Sequence, residues 1–222
     1  MPLHETFLDA HPAALTLVVG TLVAGALAEW LVTFRERLAT EGGPRGRLAA
    51  RTFVEATTTR TDAHQESDRG TKRVLVVGMI AGLFAAWLAA RYVPGADLPG
   101  SGWLWVTLGV LVMLAGFALR IASIAVLGRF FRRDVTVEEG QSVVRRGPYR
   151  YLRHPAYAGN LLVALGFGIA LANWLSIAAL AVIPLLCHLP RIRVEETALE
   201  EALGKPYRDY EEETARLVPG LW

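Results

Sequence analysis

The sequence predicts an all-α, polytopic membrane protein: a helical bundle of about five transmembrane helices with a C-terminal cytoplasmic helical tail. Hydrophobic residues make up 53% of the 222 residues, and the mean hydropathy is +0.33. Four regions stay apolar for about 18 residues or more, which is long enough to cross the hydrocarbon core of a bilayer. Lys and Arg are concentrated in the segments between these regions, as is typical of membrane proteins.

The apolar regions define the individual helices. The first three are single spans over about 12–34, 73–93 and 102–127. The fourth, about 156–190, is too long for one crossing at about 1.5 Å per residue. The sequence "LANW" interrupts it at 171–174, and Asn173 is a favourable turn residue. The fourth region is therefore predicted to be two helices in a tight hairpin.

The basic residues predict the orientation in the membrane. Nine of them lie in 35–73, seven in 129–153 and five after 190, whereas 91–101 contains only Arg91. The positive-inside rule then places the N-terminus outside and the C-terminus in the cytoplasm, and an odd number of spans requires the same arrangement. Because Ala is abundant and Arg far outnumbers Lys, we expect a bacterial plasma-membrane protein. Residues 44–56 are predicted to form an amphipathic helix on the membrane surface.

Several functional classes receive no support. The net charge of +2 does not favour nucleic-acid binding, and the single cysteine, Cys187, allows neither an internal disulfide nor a thiolate metal site. No metal site is predicted. The chain has no phosphate-binding loop, dinucleotide fingerprint or nucleophile elbow. His188 stands alone at the end of a span, so a structural role is its default interpretation.

The loop 129–157 combines cations, tyrosines and prolines. Positive-inside anchoring is sufficient to explain its first arginines, but not the order "GPYRYLRHPAY". Gly147 and Pro148 predict a turn, and Pro155 suits the first position of a helix. The start of that helix is a potential site for a carboxylate or phosphate. Aromatic walls for a flat or cationic ligand would come from Tyr149, Tyr151 and Tyr157.

The stretch "RIRVEE" at 191–196 allows two interpretations. Arg191 and Glu195 are spaced i,i+4 and can form an ordinary surface ion pair. Alternatively, one arginine binds an anionic substrate, while a carboxylate binds ribose hydroxyls or an amine; the candidates are Arg191, Arg193, Glu195 and Glu196. The helix that follows is predicted to break at "GKP" (204–206), continue to about 214 and fold back over 129–155.

Two ionisable residues lie inside predicted spans. Such residues are costly in lipid and usually face protein or a cavity. Arg120 lies near the end of its span, so its guanidinium is expected to snorkel to the membrane surface. Glu29 has a shorter side chain and is harder to explain in that way.

Three features resemble the isoprenylcysteine carboxyl methyltransferase family: the loop "GQSVVRRGPYRYLRHPAYAGN", the apolar hairpin after it, and "RIRVEETALEEALGKPYRDY". Related membrane methyltransferases, including phospholipid N-methyltransferases, share the pattern. The resemblance covers about 103–219. We therefore divide the chain into an N-terminal membrane region, 1–101, and a methyltransferase core, 102–222, with a cofactor loop at 129–157 and a tail at 191–222.

The resemblance implies S-adenosylmethionine as methyl donor, bound at the cytoplasmic face, and a lipophilic or lipid-linked substrate that enters from the membrane lipids. Arg191 matches the arginine expected to hold the substrate carboxylate, with Arg193 as its neighbour. Eukaryotic members have His where this chain has Gln141, which makes the substrate less certain. Carried over by position, the cofactor contacts are Gln141, Ser142, Val143, Val144, Tyr149, His154, Pro155, Ala156, Tyr157 and Glu195.

The expected activity is methyl transfer to the carboxylate of an isoprenoid- or lipid-linked substrate. A carboxylate is already nucleophilic, so proximity and orientation are sufficient. An alternative is methylation of a phospholipid or other amine, which needs a proton acceptor such as Glu195 or Glu196. Two further alternatives are an NADPH-dependent reductase of the sterol or isoprenoid type and a non-catalytic membrane scaffold.

Overall fold

The protein is helical throughout the part of the chain that our computed structural model describes, which is residues 6–41, 70–128 and 143–220. Two 3₁₀ turns, Pro94–Ala96 and Gly147–Arg150, lie between the helices. The predicted all-α class is confirmed, whereas the predicted surface helix at 44–56 lies outside the described residues. The helices are α1 (Phe7–Ala10), α2 (Pro12–Glu41), α3 (Thr71–Tyr92), α4 (Gly102–Leu127), α5 (Pro155–Ala170), α6 (Trp174–Leu203) and α7 (Lys205–Glu213).

The five predicted spans correspond to α2 through α6. Four of these helices, α2, α3, α4 and α6, are long and apolar enough to cross a membrane, and α5 is a shorter apolar helix. The 16 residues of α5 extend about 24 Å. The 30 residues of α6 extend about 45 Å, well beyond a hydrocarbon core of about 30 Å.

Helix α6 differs from the sequence prediction towards its C-terminal end. The sequence placed a boundary between span and tail at 190, but α6 continues through Pro184 and Pro190 to Leu203. Membrane helices tolerate internal prolines because neighbouring groups satisfy the freed carbonyls. As predicted, the helix ends at Gly204, where φ is +61° and a side chain would be unfavourable.

The hairpin between α5 and α6 turns at the predicted position. Asn173 is the N-cap of α6, and its Oδ1 accepts hydrogen bonds from the backbone N–H groups of Leu175 and Ser176. Its Nδ2 donates to Asp97 at 3.0 Å and to the carbonyl of Val93 at 3.3 Å. The buried asparagine therefore caps one helix and attaches the hairpin to the loop between α3 and α4.

Helices α4 and α5 approach so closely that their backbones touch. A methyl group added to Gly116 would lie 2.7 Å from the carbonyl oxygen of Gly159, and one added to Gly109 would lie 2.5 Å from that of Gly166. Small residues at such crossings allow the dense packing that holds membrane helices together. These two contacts set the distance between the helix that carries Arg120 and the helix that begins at Pro155.

The N-terminal helices pack against the core. Helix α2 packs along α4, and α3 packs along α6. The small residues Gly78 and Gly82 of α3 face Cys187 and Pro184 of α6. The hydroxyl of Ser176 also donates to the carbonyl of Ala86 at 2.7 Å. The division of the chain at residue 101 remains a prediction.

The tail folds back over the loop, as expected. After α7, the backbone runs beside the residues that precede α5. The N–H of Arg153 donates to the carbonyl of Ala215 at 2.8 Å, and that of His154 donates to Arg216 at 3.1 Å. Leu217 is buried in a cluster with Leu152, Ala158 and Ile192. Backbone hydrogen bonds and an apolar contact therefore hold the tail against the start of α5.

Candidate active site at the membrane border

Three elements meet where the tail covers the bundle: the 3₁₀ turn at Gly147–Arg150, the start of α5, and the part of α6 that follows Pro190. Pro155 occupies the first position of α5, where its missing N–H is not needed, and His154 is the N-cap. The three elements place six predicted side chains around one region, which we call the border site. Its members are Tyr149, His154, Tyr157, Arg191, Glu195 and Glu196.

Tyr157 links the two helices of the border site. Its hydroxyl donates to Glu195 at 2.7 Å and accepts from Nε of Arg191 at 3.2 Å. Its ring is stacked on that of His154, with centroids 5.6 Å apart. The hydroxyl thus joins Arg191 and Glu195, the two residues for which the sequence allowed a direct surface pair.

Arg191 is buried, with 3% of its surface exposed. Besides Tyr157, it contacts the hydroxyl of Thr71 at 3.3 Å, at the start of α3. Arg193, the alternative arginine, is exposed on the same helix. The structure therefore brings Arg191 into the border site and leaves Arg193 outside it.

The two glutamates have different environments. Glu196 is 6% exposed and is surrounded by three basic side chains: Arg153 at 2.8 Å, Arg216 at 2.9 Å and His154 at 3.2 Å. Glu195 has 31% of its side chain exposed, with the Tyr157 hydroxyl as its short contact. Glu196 therefore fastens the tail to the loop, whereas Glu195 is accessible to a ligand.

Tyr149 is buried beside these groups. Burial, together with the negative charge of Glu195, raises the pKa of the Tyr149 hydroxyl well above its usual value, so the hydroxyl stays protonated at neutral pH. Its backbone carbonyl accepts a hydrogen bond from the hydroxyl of Tyr210 at 2.7 Å. The tail thereby fixes the turn that carries Tyr149.

The other residues predicted to bind the cofactor do not belong to the border site and lie in three different places along the chain. Pro155 and Ala156 are buried in the first turn of α5, and Val143 and Val144 are partly buried in the segment before the 3₁₀ turn. Gln141 and Ser142 lie outside the described residues. The start of α5, predicted as a possible anion site, is covered by the tail, because the N–H of His154 donates to the carbonyl of Arg216.

Sequence reasoning missed one ion pair next to the border site. Arg120 does not snorkel: its Nε and Nη2 donate to the two oxygens of Glu29 at 2.6 and 2.8 Å. Its Nη1 also donates to the carbonyl of Ala156 at 3.2 Å. The sequence does show one acidic and one basic residue in two separate spans. It does not show that these residues form an ion pair, because that requires knowing that α2 lies against α4.

The fold and the site define a helical membrane protein with a buried arginine and an accessible carboxylate at one end of the bundle. Residues 107–201 match the family model described as "Isoprenylcysteine carboxyl methyltransferase (ICMT) family". The predicted resemblance is confirmed for this segment, which is similar to the family. That segment includes all six residues of the border site.

Individual proteins agree with this assignment. Protein-S-isoprenylcysteine O-methyltransferase A of Arabidopsis thaliana is 35% identical over 118 residues, which are 52% of this chain and 60% of the relative. The uncharacterised protein YpbQ of Bacillus subtilis is 27% identical over 119 residues, 54% of this chain and 69% of YpbQ. The structure of the eukaryotic intramembrane Ras methyltransferase ICMT is similar with a TM-score of 0.55 and 25% identity, over 66% of this chain and 52% of that one. The match thus spans about 60% of the length of the Arabidopsis relative.

Proposed function

We propose that this chain is an integral-membrane methyltransferase that moves a methyl group from S-adenosylmethionine to the carboxylate of an isoprenoid- or lipid-linked acceptor. The observation that carries the proposal is the buried Arg191, held by Tyr157 and Thr71 at the border of the apolar bundle. A buried guanidinium in that position suits an anionic head group on an apolar chain. The names of the related O-methyltransferases point to the same acceptor class.

The described residues fit S-adenosylmethionine. It carries a sulfonium cation, hydroxyl groups, and a flat aromatic base. Glu195 offers a carboxylate for hydroxyls or a cation, and the rings of Tyr149 and Tyr157 offer aromatic surfaces for a cation or a base. When bound, the group supplies a methyl on a sulfonium, and transfer to a carboxylate neutralises both charges.

The roles of the protein residues follow from their contacts. Arg191 binds the acceptor carboxylate, and the Tyr157 hydroxyl together with Thr71 fixes the direction of its guanidinium. No proton leaves a carboxylate that is methylated, so orientation is the main contribution of the protein. Glu196 keeps the tail closed over the loop and excludes water from the site.

The orientation of the protein forms part of this proposal. The hairpin turn at Asn173 contacts the loop at 93–98, and the tail contacts the opposite end of the bundle. With the basic segments in the cytoplasm, the border site faces the soluble methyl donor. In a Cys187→Ala background, an impermeant maleimide added to intact cells should label Gly95→Cys and not Arg208→Cys; the reverse pattern would contradict this orientation.

Cofactor binding tests the enzyme class. Calorimetry on the detergent-solubilised protein should show micromolar binding of S-adenosylhomocysteine and none of NADPH. Glu195→Gln should weaken the binding of S-adenosylhomocysteine about tenfold, the effect of one charged hydrogen bond. Lys205→Gln, which removes a highly exposed charge on α7, serves as control. Binding of NADPH alone would support the reductase, and binding of neither compound would contradict both enzymes.

Methylation assays test the acceptor. A methyl ester releases methanol in alkali, whereas an N-methyl group does not, so a base-labile product distinguishes a carboxylate acceptor from an amine acceptor.

Substitution of the two arginines tests which one binds the acceptor carboxylate. Arg191→Gln should raise KM for the acceptor about 10- to 100-fold, because it removes a charge-assisted contact. Arg193→Gln should leave KM within about twofold, on the scale of an exposed charge. If Arg193→Gln raised KM and Arg191→Gln did not, Arg193 would be the residue that binds the acceptor carboxylate.

A further inference from the structure

The ion pair between Glu29 and Arg120 joins three helices. Nε and Nη2 of Arg120 donate to the two carboxylate oxygens of Glu29, and its third nitrogen, Nη1, donates to the carbonyl of Ala156 at 3.2 Å. The side chains of Arg120 and Glu29 are only 14% and 16% exposed. One guanidinium on α4 thereby contacts a carboxylate on α2 and the first turn of α5.

The contact with Ala156 reaches the border site. Ala156 lies between Pro155, which begins α5, and Tyr157, whose hydroxyl contacts α6. A carbonyl oxygen has two lone pairs, so the bond from Arg120 does not require a hydrogen bond of the helix to break. The backbone of α5 is close to this side chain, because a methyl group added to Gly159 would lie 2.9 Å from Cβ of Arg120. Arg120 therefore holds the turn of α5 from which Tyr157 extends.

Tyr149 lies within reach of the same charge. Burial is the main cause of the raised pKa of the Tyr149 hydroxyl, and the positive charge of Arg120 opposes that rise. Tyr149 and Tyr157 are the two aromatic residues that the proposed function assigns to the methyl donor. Arg120 thus lies near both of them.

Stability alone does not explain the pair. Charged residues are costly inside a membrane span, and replacing a buried ion pair by apolar side chains of similar size is often neutral or stabilising. Apolar residues would therefore be sufficient to pack α2 against α4. They would not supply the hydrogen bond to the carbonyl of Ala156, which needs a donor. A buried guanidinium makes that bond at an acceptable cost because Glu29 compensates its charge.

We propose that Arg120 is a positioning residue for the methyl-donor site: it fixes the first turn of α5, and with it Tyr157, while Glu29 sets the direction of its guanidinium. The inference rests on the proposed function, in which the rings of Tyr149 and Tyr157 contact the donor. Glu29 lies outside residues 107–201, the segment that matches the family model. The N-terminal region therefore contributes to the site as well as to the membrane bundle.

Two variants of the full chain in nanodiscs test this role. Arg120→Lys keeps a positive charge opposite Glu29 but offers one nitrogen where the guanidinium offers three. The double variant Glu29→Leu/Arg120→Met leaves no buried charge unpaired. Both should weaken the binding of S-adenosylhomocysteine about tenfold, the effect of one charged hydrogen bond. In the ligand-free protein, hydrogen exchange at the amides of residues 157–160 should become about tenfold faster.

Asn173→Ala is the matched control for lost stability, because it removes a helix cap at the opposite end of the bundle. It should leave the affinity for S-adenosylhomocysteine and the exchange at 157–160 within about twofold of the wild type. If it weakens binding as much as the double variant does, the pair acts only through overall stability and the inference is wrong.

Two further outcomes separate this inference from the proposed function. Wild-type affinity and unchanged exchange in both Arg120→Lys and the double variant would overturn the role of Arg120 and leave the proposed function intact. If the wild type binds no S-adenosylhomocysteine, the proposed function fails. The exchange rates at 157–160 then decide by themselves whether Arg120 positions the start of α5.

Discussion

The ion pair between Glu29 and Arg120 gives a quantitative prediction. Their side chains are 16% and 14% exposed, and two short hydrogen bonds join them. Removing one member of a buried pair leaves an uncompensated charge and costs about 3–5 kcal/mol. Gln at position 29 keeps one acceptor, so we expect Glu29→Gln to lower the free energy of unfolding by about 3 kcal/mol.

The assay is reversible unfolding in mixed micelles with increasing detergent denaturant. Glu29→Leu, Arg120→Met and the double variant complete a double-mutant cycle. The double variant should be more stable than at least one single variant, because no buried charge remains unpaired. The matched control is Asp9→Asn, which breaks the Asp9–Arg91 pair. That pair is 40% and 22% exposed, so its loss should cost less than about 1 kcal/mol.

Additive effects of the Glu29 and Arg120 substitutions on the free energy of unfolding would refute this reasoning. If the two single effects sum to the double effect within about 0.5 kcal/mol, Glu29 and Arg120 do not interact appreciably. A loss for Glu29→Gln as small as that for Asp9→Asn would equally show that the pair is well solvated. In either case, α2 would not be attached to α4 by this contact.

Three further predictions concern stability. Gly116→Val should destabilise the protein by about 2 kcal/mol or more, whereas Gly20→Val, where the space is open, should cost about 1 kcal/mol or less; equal losses would contradict the close helix crossing. Asn173→Ala removes a cap and should lower the unfolding free energy by about 2 kcal/mol, and an unchanged value would show that the hairpin turn forms without it. Burial raises the pKa of Tyr210 from 10.0 to about 12, so its stabilisation of the tail is complete below pH 10 and is lost as the pH rises through 12. Limited proteolysis should show the tail becoming susceptible over that range in the wild type, and Tyr210→Phe should weaken this dependence, since Tyr207 and Tyr149 also have raised pKa values; identical profiles would contradict it.

Local rules predicted the parts of the fold that depend on neighbouring residues. Pro155 begins a helix because its ring and missing N–H suit that position, Asn173 turns the chain because its side chain caps the next helix, and Gly204 ends α6 because it tolerates positive φ. The family pattern also indicated Arg191 and Glu195 before their positions were known. These features can be predicted from a few adjacent residues.

Contacts between distant residues were not predictable in this way. The sequence could not distinguish Glu195 from Glu196. The difference arises from Arg153, which reaches Glu196 when α5 packs against α6, and from Arg216, which reaches it when the tail folds back. Likewise, the buried Nε2 of His188 makes no hydrogen bond within the described part of the chain, and this becomes evident only when its surroundings are known. Each of these properties depends on how separate helices pack, and the local pattern does not specify that packing.

The continuity of α6 has a consequence for the proposed methyl acceptor. The helix runs from the buried cap at Asn173 to Arg191, 18 residues later, a distance of about 27 Å, close to the thickness of the hydrocarbon core. The length of the helix between these two residues therefore fixes the depth of the Arg191 guanidinium in the membrane, relative to the opposite surface where Asn173 lies. For the acceptor in the proposed function, the position of the carboxylate in the bilayer should therefore matter more than the length of the hydrocarbon tail.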